Sequence, residues 1–176
     1  MKFTSALKMS VAAVAIAAAS QALAMDTHPE TGEKLSDNQT FTYRLLDQFP
    51  TLDPQLNEET AGFHVIRDIF EGLISQDENG NLVPGVASEW TASNENKTWT
   101  FNLRQDAKWS NGDPVTAQDF VYAWKRAVDP ATASPYAWYL EITEMVNAAE
   151  ILAGEKDPSE LAVRAIDDHT LEVDLN

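Results

Sequence analysis

The side chains that could carry chemistry here are three histidines, 28 carboxylates and five tryptophans. His28, His64 and His169 lie far apart along the chain, and none sits at a metal-ligand spacing from another. The chain has no cysteine, so neither a Cys/His metal framework nor a disulfide is available. These histidines read as surface or capping residues. There is no G-x-S-x-G elbow and no glycine-rich phosphate cradle. A carboxylate pair does acid–base work only at a defined separation, and spacing singles out no pair among so many acids. Asp113 and Asp119 are accounted for by a turn and a helix cap. The expectation is a protein that is not an enzyme, with no catalytic residue, no metal and no cofactor. The tryptophans offer something else, because aromatic faces stack on sugar rings, and a carbohydrate-binding module is one reading. Trp99 and Trp124 fall on apolar stripes and are assigned to the core. Trp138 lies beside Tyr136 and Tyr139 after Pro135, a cluster that either lines a cleft or packs inward.

The elements that must position these residues follow from periodicity. Phe41–Leu46 (FTYRLL) has strand composition, and residues 47–59, with Pro50 and Asp53-Pro54, read as an ordered loop. Gly62–Ser75 places Val65, Ile66, Ile69, Phe70, Leu73 and Ile74 on one helical stripe. Asn79-Gly80 and Asn111-Gly112 are hairpin-type turns, and Pro84-Gly85 is a break. Lys97–Leu103 alternates, with Trp99, Phe101 and Leu103 on one face of a strand. Thr116 and Asp119 suit a capping box for a helix over Ala117–Val128 that buries Phe120, Val121, Trp124 and Val128 and stops at Pro130. A further helix is expected over Tyr136–Leu152, burying Leu140, Met145, Val146, Ala149 and Leu152, with Gly154 just past its end. Val163–Ile166 and His169–Leu175 form a hairpin across Asp167-Asp168. This order predicts an α/β or α+β fold with a mixed sheet. A strand ending so near residue 176 is expected of the N-terminal part of a longer chain.

The first 24 residues carry Lys2 and Lys8, an apolar run over Val11–Ala19 and Ala22-Leu23-Ala24, the pattern of a secretory signal peptide cleaved after Ala24. The apolar run falls short of the roughly 20 residues that span a bilayer. No cysteine follows it to be lipidated, so the expectation is a periplasmic protein. Residues 25–40 are polar, without periodicity, and read as a mobile leader. Cleavage would move the formal charge of −16 two units further negative, which sets aside nucleic acid and anionic lipid as partners. With 44% hydrophobic and 9% aromatic residues, the chain has enough apolar material for a core without disulfides.

Several blocks in order then point to a family. RDIFEGL (Arg67–Leu73), PGVASEW (Pro84–Trp90), TWTFNLR (Thr98–Arg104), DAKWSNGDPVTAQDFVYAWKRAVDP (Asp106–Pro130), TASPYAWYL (Thr132–Leu140) and AIDDHTLEVDL (Ala165–Leu175) resemble the family 5 bacterial solute-binding proteins. Within it they look most like oligopeptide-binding and murein-tripeptide-binding members. The resemblance implies a two-lobed fold of the type II periplasmic-binding-protein kind, closing over a peptide. It also implies a monomer that delivers its cargo to an inner-membrane ABC permease. Members are much longer chains. On that pattern residues 41–61 are the opening strand and cleft loop of the first lobe, and 62–176 a second domain that is incomplete at its C-terminus. The far lobe, with its acidic anchor for the peptide's N-terminus, is not included. The loop after Leu52-Asp53-Pro54 lines the peptide site in the family and pairs with the ligand backbone as an added strand. This makes Glu58, Glu59 and Thr60 candidate ligand-binding residues, although on its own residues Glu58 reads as a solvated loop carboxylate. Tyr136 matches an aromatic that faces the ligand. Oligopeptides are the implied cargo, with murein tripeptide or dipeptide as alternatives.

Overall fold

Alternation at Leu171 and Val173 buries one face of a C-terminal strand, and this strand is central to the main sheet. A computed structural model describes residues 27–28, 31–38 and 40–176. The signal expected over residues 1–24 lies outside these, as do Met25, Asp26, Pro29, Glu30 and Gln39 of the segment read as a mobile leader. The chain divides into two units, residues 1–44 and 45–176. In the first, a bridge between Thr27 and Lys34 closes a turn in which Gly32 takes a φ of +70°. Phe41 and Tyr43 stack with centroids 6.0 Å apart.

Residues 45–176 run α1 (Thr60–Ile69), β1 (Ile74–Gln76), β2 (Leu82–Pro84), β3 (Ala87–Ser93), β4 (Thr98–Leu103), α2 (Ala117–Val128), α3 (Trp138–Ile142), α4 (Ala148–Leu152), a 3-10 turn at Pro158–Glu160, β5 (Val163–Asp167) and β6 (Thr170–Asp174). β1 and β2 form a two-stranded antiparallel hairpin. The main sheet has four strands in the order β3-β4-β6-β5, and every pairing is antiparallel. Trp99 stands opposite Val173, and Phe101 opposite Leu171. α2 lies across β5 and β6. Between them Val128, Ile151, Leu171, Val163 and Met145 form the core, with Phe120, Val121, Trp124 and Phe101 packed on it. Each wholly buried Ile or Leu contributes about 2 kcal/mol of transfer free energy.

α2 begins and ends where its capping signals place it. The Thr116 amide donates to Asp119 Oδ2 at 2.7 Å and its hydroxyl to the same oxygen at 3.1 Å. Gly154 sits two residues past the end of α4, just beyond the capping Ala153, with φ +76°. The β5–β6 hairpin forms, but it turns at Asp168-His169, one residue later than expected, because Asp167 still pairs with Thr170 as the last residue of β5.

Three expectations fail. No strand forms over Phe41–Leu46. A strand leaves half its backbone groups to a neighbour, and no described segment pairs with this one. The helix expected over Gly62–Ser75 is instead Thr60–Ile69. Phe70 is already extended, at φ −121° and ψ 136°. Beyond it the Gly72 carbonyl accepts from the Val86 amide, and the Leu73 carbonyl from those of Gly85 and Ala87. Sheet-type pairing therefore captures Leu73 and Ile74, while Ile69 and Phe70 remain exposed.

The helix expected over Tyr136–Leu152 breaks into α3 and α4. Glu144 and Asn147 adopt φ of 59° and 72°. Met145 between them bridges to Leu175, and the Val146 amide donates to the Asp174 carbonyl. The break shifts the buried phase, so Ala148 and Ile151 are buried and Ala149 is exposed.

Candidate functional site

The loop before α1 is built around one carboxylate. Asp53 Oδ1 accepts from the Gln55 amide at 3.0 Å, the Asp53 carbonyl accepts from the amides of Leu56 and Asn57, and the Asp53 amide donates to Thr51 Oγ1. Arg126, in the last turn of α2, meets this turn with a fork. Its two terminal nitrogens donate to Asp53 Oδ1 at 2.9 Å and Oδ2 at 2.7 Å, and one also donates to Gln55 Oε1 at 2.7 Å. Gln55 in turn donates its amide to the Ala123 carbonyl. A planar guanidinium suits two carboxylate oxygens as a single ammonium does not. The Arg126 hydrogen bonds hold the Asp53 carboxyl below the usual carboxylate range, outweighing the opposing effect of burial.

The far end of the loop is fixed differently. Asn57 is wholly buried, and its side-chain amide donates to the Glu59 carbonyl at 2.9 Å. Asn57 Oδ1 has no hydrogen-bond partner. It lies where a side chain on residue 62 would be: a Cβ there would sit 2.0 Å away. Glycine at 62 is what lets the Asn57 amide press against α1. Glu59 is then the extended N-cap residue of the helix, at φ −93° and ψ 133°.

Glu58, Glu59 and Thr60 are therefore consecutive, exposed, and set at the positive end of α1. Two carboxylates beside a hydroxyl can accept hydrogen bonds from amide or ammonium groups of a ligand. Tyr136 comes from the segment before α3 and meets the same helix through Phe63, in an edge contact with centroids 5.8 Å apart. Tyr136 as a residue is 39% exposed, so part of it is open to a ligand. Trp138 continues the aromatic row at 6.4 Å from Tyr136, and Tyr139 lies 6.1 Å beyond. The Trp138 indole is anchored by a bond to the Pro135 carbonyl. Trp124 packs on the core as the sequence indicates, while Trp99 is half-buried and donates to the Asn96 carbonyl.

His64 is exposed on α1, and His169 lies in the β5–β6 turn. Among the described residues no group of three or more His, Cys, Asp or Glu could hold a metal ion. No helix of the described residues is long and apolar enough to cross a membrane. A cleft of about 660 Å³ opens between the end of α1 and the β1–β2 hairpin, lined by Ile69, Phe70, Ile74 and Leu82 among others. None of the candidate residues lines it.

Arg126, Gln55 and Asn57 were not singled out from sequence. Asp53-Pro54 does announce a turn, but Arg126 stands 73 residues away and reads there as one more polar position of an amphipathic helix.

Residues 81–176 match the profile of the middle part of the bacterial extracellular solute-binding proteins, family 5. The chain is 46% identical over 175 residues to the periplasmic oligopeptide-binding protein OppA of Escherichia coli. That alignment covers 98% of this chain and 32% of OppA. It is 44% identical over 168 residues to the periplasmic murein peptide-binding protein MppA of the same organism, covering 96% and 31%. Among solved structures, Haemophilus influenzae OppA in complex with the peptide RPPGFSPFR superposes with a TM-score of 0.70 at 51% identity, over 72% of this chain and 25% of that one. The chain thus spans about a third of the length of the relatives it matches.

Proposed function

The chain belongs to the family 5 bacterial extracellular solute-binding proteins, and from that membership we propose that it is part of a periplasmic oligopeptide-binding component of an ABC importer. The observation that carries the reading is the likeness to a relative solved around a nonapeptide, at 51% identity over most of this chain. The exposed Glu58–Glu59–Thr60 segment and the half-open Tyr136 ring supply the local chemistry. Main-chain groups of an extended peptide pair with extended protein backbone irrespective of sequence. The aromatic ring offers a face to one side chain, and bound water lets the remaining side chains vary. Closure of two lobes around the ligand would then present the loaded form to a permease. Murein peptide is the second reading, supported by 44% identity to MppA.

The test uses the protein as its host secretes it, titrated calorimetrically with tri- to penta-alanine, a murein tripeptide and cello-oligosaccharides. Binding of alanine peptides supports the main reading. Selective binding of the murein tripeptide replaces it with the second. Sugar binding alone sinks both and restores the carbohydrate module. In a peptide-binding protein, Tyr136→Ala weakens affinity about tenfold, as loss of one well-packed aromatic contact does.

A further inference from the structure

The residues proposed to meet peptide make no ion pair of their own among the described residues, yet the segment that carries them is braced on both sides. On one side Asn57 lies wholly buried against Gly62. On the other, the Arg126 fork holds Asp53 and Gln55 at 2.7–2.9 Å. Asp53 and Arg126 keep 27% and 30% of their side-chain surface, so the pair is partly shielded from water. Arg126 is on a helix whose other face enters the main core through Val128 and Trp124. The loop is therefore tied to the helix that packs on the core of residues 45–176.

We infer that Arg126 is a positioning residue for peptide capture: it touches no ligand and acts by holding the Asp53–Asn57 turn so that Glu58, Glu59 and Thr60 are pre-set for the peptide. The inference rests on the reading that these three residues meet the ligand. Its physical basis is that a loop ordered before binding need not be ordered by the ligand, so affinity is higher. A lysine at 126 keeps the charge but loses the fork.

The experiment uses the host-secreted protein and whichever of tri-, tetra- or penta-alanine it binds most tightly. Uncharged side chains leave only the peptide's two terminal charges to feel position 126, and Arg126→Lys, which keeps the charge, controls for these. Arg126→Gln weakens binding about tenfold and Arg126→Lys about threefold, magnitudes set by losing a charge-assisted fork or half of it. Amide exchange at Leu56–Thr60 accelerates in both. The discriminating readout is a double-mutant cycle. In a Glu58→Gln/Glu59→Gln/Thr60→Ala background, Arg126→Gln no longer changes the dissociation constant, although it lowers the thermal midpoint as before. If Arg126→Gln does not accumulate, Asp53→Asn, the same shape with a weaker acceptor, carries the same expectations. Unchanged affinity in the single variants overturns the inference and leaves the function intact, as does an equal fold-loss in both backgrounds. Failure of the unsubstituted protein to bind any alanine peptide overturns the function, and the inference with it.

Discussion

Replacing Gly62 with alanine should separate steric fit from helix propensity at the base of the candidate loop. In an ordinary helix the change is favourable by about 0.5–1 kcal/mol, because alanine loses less conformational freedom on folding. Here the new Cβ would stand 2.0 Å from Asn57 Oδ1, 2.7 Å from Cγ and 3.0 Å from Nδ2. The Asn57 side chain is wholly buried and cannot swing aside within its site, so either it leaves or α1 moves. If it leaves, the bond from Nδ2 to the Glu59 carbonyl is lost, at about 1–3 kcal/mol for a buried partner left unmet. If it stays, overpacking costs about 1–3 kcal/mol. Against the propensity gain, the net is a loss of roughly 1 kcal/mol. The assay is urea unfolding of the protein, followed by tryptophan fluorescence, for G62A, N57A and the pair. With Asn57 trimmed to alanine the clash is gone, and G62A should become neutral or stabilising by up to about 1 kcal/mol. A change of sign between the two backgrounds is the signature. If G62A is equally costly in both, or harmless in the native one, the argument from close approach is wrong.

Two further outcomes follow from the same structure. Hydrogen bonds from Arg126 lower the Asp53 pKa and those from Arg164 lower that of Asp174, while Asp77, Asp157 and Asp167 are lowered chiefly by Asn81, Ser159 and the His169 amide. Groups depressed on folding stabilise above the unfolded value of about 3.9 and stop doing so as pH falls through the folded values. The melting temperature in about 0.15 M salt, where long-range repulsion is screened, should hold between pH 7 and 5 and drop below pH 4, with Asp53→Asn flattening the drop; a rise on acidification through that range would refute it. Gly85→Ala would place a Cβ 2.4 Å from the Gly72 carbonyl and 3.0 Å from that of Leu73; these are backbone atoms that cannot rotate away, so a loss of about 1–3 kcal/mol is expected in the same urea assay, and a neutral result would mean the β1 connection yields easily.

How much of this was legible can be judged element by element. α2 was readable to the residue because its signals are local: Thr116 and Asp119 cap one end and Pro130 blocks the other. The β5–β6 hairpin was readable because alternation at Leu171 and Val173 admits only one inward face. β3 escaped notice, since an edge strand reading ASEWTAS has polar residues on both faces. Its turn into β4 escaped too, because Asn94, Glu95 and Asn96 all take positive φ without a glycine to announce it. Of the site, Glu58, Glu59, Thr60 and Tyr136 came from resemblance, and their supports Arg126 and Asn57 from neither resemblance nor pattern.

Composition, apolar period and capping residues by themselves determined that this chain has an α and β core without disulfides and where its best-capped helix runs, while the family entered through the resemblance of whole sequence blocks. Tertiary structure alone decided where α1 stops, where the Tyr136–Leu152 segment breaks, and what braces the loop before α1. Apolar residues such as Leu73 and Met145 satisfy a helix or a strand equally well, and the choice falls to whichever distant backbone offers their carbonyls and amides a partner. The same holds for Arg126 and Asp53, whose pairing exists only because the fold brings residues 73 apart to within hydrogen-bonding distance.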